Sequence, residues 1–162
     1  MVARREDGIT LIEVMISVGV IAVGLSALLA AVPFATYGTR EGYQLSTATF
    51  LANERLEQVR NARWESTPRP VDDLGLSITP ALAPVSGGAT TFSDEATLPA
   101  PHGDYARAVR IADCAGSGCS GIARNDLRQV TVTVTYRPTT GIGVAEPGTV
   151  RAAAVTMFVS QR

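Results

Sequence analysis

Glu13 is the side chain whose position most needs a chemical explanation. Nineteen residues without a charge, Val14 to Val32, follow it directly. A carboxylate inside a membrane-length apolar run costs roughly 2.5–3.5 kcal/mol on insertion scales at a helix centre, so such an acid usually has a dedicated partner. Gly8 stands five residues before it and closes a short polar leader, Met1 to Asp7. The second candidate is Cys114 and Cys119, which flank Ala-Gly-Ser-Gly. Glycines permit the tight turn that brings two cysteine α-carbons within about 7 Å. In an extracytoplasmic domain a close, even pair favours a disulfide. Free thiols, a metal site and a redox pair are the other readings. Redox chemistry suits a Cys-x-x-Cys spacing better, and a metal site needs more ligands than the sole histidine, His102, can add.

The remaining polar constellations are weaker. Asp72-Asp73 and Asp94-Glu95 are acidic pairs in loops. Calcium prefers six to eight oxygens, so two adjacent acids read first as solvated surface and only second as a calcium site. No serine or threonine sits in a recognisable nucleophile motif. An active site is poorly supported, and the chain reads as a non-enzyme without a cofactor. Arg55, Arg60 and Arg63 are interspersed with Glu54, Glu57 and Glu65, the pattern of a charged helix face. The formal net charge of −1 gives no global case for nucleic-acid binding either. All basic residues are arginine, and no function is drawn from that.

The elements that must hold these residues can be read from periodicity. The 162 residues suffice for one membrane helix and one small domain. Nineteen apolar residues rise about 29 Å, enough to span a bilayer core. The spacing predicts a helix from about Thr10 to Arg63. Leu45, Ala48, Ala52, Leu56 and Val59 line one face of its second half. Pro33 predicts a bend or local melting near residues 30–34, and Gly19 and Gly24 loosen the first half. Residues 66–104 hold six of the nine prolines and predict a loop-rich connection, with short strands near Leu74–Thr79 and Ala89–Phe92. Tyr105–Ile111, Val130–Tyr136 and Val150–Val159 read as strands, the middle one by its Val/Thr alternation. Residues 138–148 read as a long hairpin connection. The predicted class is α+β: a long N-terminal helix packed on a small antiparallel sheet of three or four strands.

Gly8-Ile9-Thr10-Leu11-Ile12-Glu13 and the apolar run after it resemble the class III signal of type IV prepilins and pseudopilins. Ile9 stands where the family usually has phenylalanine, and Glu6 and Asp7 offset Arg4 and Arg5. The resemblance implies cleavage by a prepilin peptidase between Gly8 and Ile9, N-methylation of Ile9, and pairing of Glu13 with the N-terminal amine of a neighbouring subunit. A cleaved secretory signal ending near Ala27, Ala30 and Ala31 and a plain single-span anchor are the blander readings. Neither explains Gly8 and Glu13 together. The implied divisions are a leader at 1–8, a transmembrane and filament-core helix at 9–33, a periplasmic helix at 34–65, and a globular domain at 66–162. Arg4 and Arg5 before the span place the domain outside the cytoplasm.

Leu51 to Arg60 is similar, more loosely, to the helix of PilV-type minor pilins and I-type pseudopilins. The implied function is that of a minor pilin helping to initiate or cap a type IV pilus, and so supporting adhesion, motility or DNA uptake. Its partners would be the prepilin peptidase, the inner membrane before assembly, and major and minor pilins through helix packing. The alternatives are a type II secretion pseudopilin and, in another class, a membrane-tethered periplasmic binding domain.

Overall fold

A computed structural model describes residues 9–67, 69–115, 119, 121–138 and 148–162. One helix, α1 (Leu11–Arg60), leads into a domain built on three long strands, β5 (Tyr105–Asp113), β6 (Leu127–Tyr136) and β7 (Arg151–Ser160). Four two-residue strands lie between them: β1 (Trp64–Glu65), β2 (Val71–Asp72), β3 (Val85–Ser86) and β4 (Ala89–Thr90). The α+β class, a long helix on a small antiparallel sheet, is the observed one.

α1 is 50 residues long, about 75 Å at 1.5 Å per residue. It stays helical through Pro33, so of the expected bend or local melting the melting is absent. Proline removes a single backbone donor, and the turns on either side keep theirs. The helix ends at Arg60, three residues before the expected end. Asn61 caps it, its N–H donating to the Glu57 carbonyl at 3.1 Å while the Ala62 N–H donates to the Val59 carbonyl at 3.1 Å. Trp64 and Glu65 then pair antiparallel with Asp72 and Val71, which takes their backbone out of helix.

The long strands form one antiparallel sheet in the order β5-β6-β7. Tyr105 faces Tyr136 at one end and Asp113 faces Arg128 at the other. Across the second ladder Tyr136 faces Arg151 and Leu127 faces Ser160. Period-two alternation places Val109, Ile111, Val130, Val132 and Val134 on the inner face, all fully buried. Ala48, Leu51, Ala52, Leu56 and Val59 of α1 complete this core. Each buried Leu or Val contributes about 1.5–3 kcal/mol. Leu45, expected on this face, is half exposed, and Leu51 is buried in the cluster. The predicted connection at 138–148 falls mostly outside the described residues; β6 and β7 do pair as neighbours.

The proline-rich connection covers the outer edge of β5. Glu95 and Arg107 exchange backbone hydrogen bonds at 2.9 and 2.8 Å, Leu98 N–H donates to the Tyr105 carbonyl, and Ser77 N–H donates to the Ile111 carbonyl. The strand expected at Leu74–Thr79 is a single bridge, Leu76 to Val85. Gly75 explains the tight fit there. Its φ is +71°, and a Cβ on it would stand 2.8 Å from the Val85 carbonyl. Only glycine takes both the conformation and the space.

Candidate assembly site

Thr10 begins the helix in extended conformation, and its hydroxyl accepts from the Glu13 N–H at 3.4 Å. This satisfies one of the orphan donors of the first turn. Glu13 is the acid of that turn, where unpaired N–H groups and the helix dipole favour negative charge. Ser17 Oγ donates to the Glu13 carbonyl at 2.8 Å one turn on. Ile9 and Glu13 lie four residues apart, close along the helix axis. Gly8 lies outside the described residues.

From Val14 to about residue 36 the helix is apolar on all sides and covered on none. Met15, Ile16, Leu25, Leu28 and Leu29 are all exposed. α1 is long and apolar enough to cross a membrane, and its most apolar stretch has a mean hydropathy of 2.4 with no residue buried. A helix apolar all round takes its cover from lipid or from other helices.

Cys114 and Cys119 sit far from Glu13, beyond the last residue of β5. They are joined in a disulfide with α-carbons 4.8 Å apart. Both are buried. Cys114 N–H donates to the Leu127 carbonyl at 3.1 Å and Arg124 N–H to the Cys114 carbonyl at 2.8 Å, so Cys114 is tied to the start of β6 and to the residues just before it.

The acidic pairs are occupied by arginines. Arg110 holds Asp94 through two nitrogens at 2.6 and 2.8 Å. These bonds draw the Asp94 carboxyl below its usual range. Arg107 Nε meets Glu95 at 2.7 Å and likewise lowers it. Burial pushes Asp72 up, but a bidentate contact to Arg128 at 2.6 and 2.9 Å and the Gly75 N–H outweigh it, and the net shift is downward. Asp73 pairs with Arg63 at 3.1 Å. Of the arginines considered for nucleic acid, Arg60 meets Glu57 and Arg55 meets Gln58 on their own helix. His102 stands edge-on to Tyr105 in a turn, ring centroids 6.1 Å apart.

The sequence reading missed Arg107 and Arg128, which are buried on the inner face of the sheet. Arg107 Nη1 donates to the Leu51 carbonyl at 3.1 Å, tying β5 to α1. Arg128 lies 4.2 Å above the Trp64 ring and fixes the chain as it leaves the helix. The available signal was register: Arg107 falls two residues after Tyr105 and two before Val109, on the inward set. Charge argued against burial, and the carboxylates that meet these arginines, Glu95 and Glu54 for Arg107 and Asp72 for Arg128, make it tolerable.

No curated protein and no solved structure matches this chain significantly. Residues 3–29 match the prokaryotic N-terminal methylation motif. That motif belongs to structural rather than enzymatic proteins, and its class III signal peptide implies processing by prepilin peptidase and entry into a pilin assembly. The match takes in residues 3–8, Glu13 and most of the uncovered apolar stretch of α1. Over residues 3–29 this N-terminus therefore matches that of a type IV pilin-like prepilin, the motif found on pilin and pseudopilin subunits.

Proposed function

We propose that the chain is a minor pilin that helps to initiate or cap a type IV pilus, and thereby supports adhesion, motility or DNA uptake. The observation that carries this is a capped helix start with Glu13 in its first turn, followed by an apolar helix that the domain leaves uncovered. Cleavage between Gly8 and Ile9 creates a charged amine at Ile9 near neutral pH, and N-methylation keeps that charge. Residues 9–33 sit first in the inner membrane, single-pass, with residues 34–65 and 66–162 in the periplasm. In the filament an axial offset between subunits lets Glu13 meet a neighbour's Ile9 amine. That contact compensates a carboxylate in an apolar core and favours one axial register over slipped ones.

The minor-pilin assignment draws on the segment Leu51–Arg60, which packs Leu51, Ala52, Leu56 and Val59 on the sheet. The test is to purify pili from a strain carrying Glu13→Gln and measure both pilus number and this protein's abundance in them. Processing stays normal and incorporation falls. Normal incorporation with normal piliation refutes the role of Glu13. In a deletion strain, loss of secretion with pili intact assigns the protein to a type II secretion pseudopilus instead.

A further inference from the structure

The chain has four tyrosines. Tyr37 and Tyr43 are on α1 just after the apolar run. Tyr105 opens β5 and faces Tyr136, which closes β6. This end of the sheet is fastened to the same helix turns. The Tyr105 hydroxyl lies 3.5 Å from the Gln44 carbonyl, Gln44 Nε2 donates to the Arg137 carbonyl at 3.3 Å, and Arg151 pairs with Glu41. Two clefts meet at Tyr105. One, about 420 Å³, is lined by Arg40 and Tyr43, and the other, about 490 Å³, by Arg137 and Tyr136.

Arg40 and Arg137 are exposed and, among the described residues, neither meets a carboxylate. Seven other arginines form ion pairs within the fold. Asp104 is an exposed acid lining the second of these clefts, and Glu41 is already neutralised by Arg151. The position along the helix is specific. Tyr37 and Arg40 follow Pro33 by four and seven residues, about 6 and 10 Å of rise. The headgroup layer on each side of the hydrocarbon is about 5–8 Å deep. Tyrosines prefer that layer, and long arginine side chains reach back to it.

From this juxtaposition we propose that the Arg40–Arg137 end of the domain docks on the headgroups of anionic phospholipids, with Tyr37 in the interfacial layer and the Arg40 side chain reaching back to it. The apolar span continues directly into this surface, and the two unpaired guanidiniums complement phosphate charge. Before assembly the domain therefore stands in one orientation against the membrane. Tyr105 and Tyr136 are buried and form its floor. Extraction into a filament must break this contact, so it acts as a brake on premature release. The inference rests on the reading of the apolar half of α1 as a membrane anchor.

The test uses the full chain in vesicles of phosphatidylcholine alone or with phosphatidylglycerol, both containing a lipid spin-labelled on its headgroup. An environment-sensitive dye is placed by Gly103→Cys, at the proposed surface, where a side chain meets nothing within 4 Å. A control dye goes on Asn125→Cys, exposed at the other end of the sheet. The native cysteines stay in their disulfide. Quenching of the dye at position 103 should be at least about twofold stronger with phosphatidylglycerol, and high salt should remove the difference. Arg40→Gln with Arg137→Gln should remove it as well, while the control dye is unaffected throughout. Equal quenching in both lipids, equal quenching at both positions, or no effect of the double substitution overturns the docking alone. Protein that fails to float with either vesicle overturns the anchor reading and the docking with it.

Discussion

The two halves of α1 are the same secondary structure put to opposite uses. From Leu11 to about residue 36 every side chain is exposed, although most are apolar. From Ala48 to Val59 the apolar side chains are buried on the sheet. The second half has a stripe and a partner inside the chain. The first has apolar residues on every face and no internal partner, so it is a binding surface waiting for lipid or for other helices. Stability belongs to one half and assembly to the other, and substitutions should separate them.

The largest separation is expected between Leu56→Ala and Leu28→Ala. Leu56 is buried against the sheet, so its truncation should destabilise the domain by about 2–5 kcal/mol in chemical denaturation. Leu28 is uncovered, and its truncation should leave domain unfolding within about 0.5 kcal/mol. If both changes destabilise the domain equally, the two halves are not independent.

Arg107 tests the join between the packed half and the sheet. Arg107→Met removes the charge that meets Glu95 and the donor to the Leu51 carbonyl. Thermal unfolding should show a loss of about 2–4 kcal/mol, less than for a fully buried pair because Glu95 is partly exposed. Adding Glu95→Gln should recover part of it.

Acid should act on the domain through the same loop carboxylates. Asp72, Asp94 and Glu95 all have lowered pKa values in the fold. A group held below its unfolded value contributes stability that is present above that value and lost as pH falls through the folded one. The melting temperature should therefore change little between neutral pH and about pH 5, and fall below about pH 4. Asp94→Asn should make that fall shallower. A domain whose stability is flat down to pH 2 would contradict these pairings.

The smallest effect is expected from reduction of Cys114–Cys119. Its closed loop is short, so removing the bridge should lower stability by less than about 3 kcal/mol. Membrane insertion, which depends on the other half of α1, should be unchanged.

Much of this division is legible in the sequence. The uncharged run and the Gly8-to-Glu13 spacing mark the assembly half, and the shift from 3.6-residue to two-residue periodicity separates helix from sheet. Three features escaped. Pro33 weakens a helix locally, but a local propensity does not decide a long continuous element. Leu51 and Leu45 exchange roles because the stripe says which side is apolar, not where the sheet ends along it. Arg107 and Arg128 read as surface because their inward positions become tolerable only when Glu95 and Asp72 arrive from distant loops. Long-range partners of a buried charge have no local signature.

The central claim, that the uncovered half begins at a processed and assembly-competent terminus, is tested most directly by the intact mass of the protein extracted from membranes. The expected mass is that of a chain that has lost residues 1–8 and carries one methyl group on Ile9. A chain with its leader intact, or one beginning near Ala31 or Ala35, would contradict it.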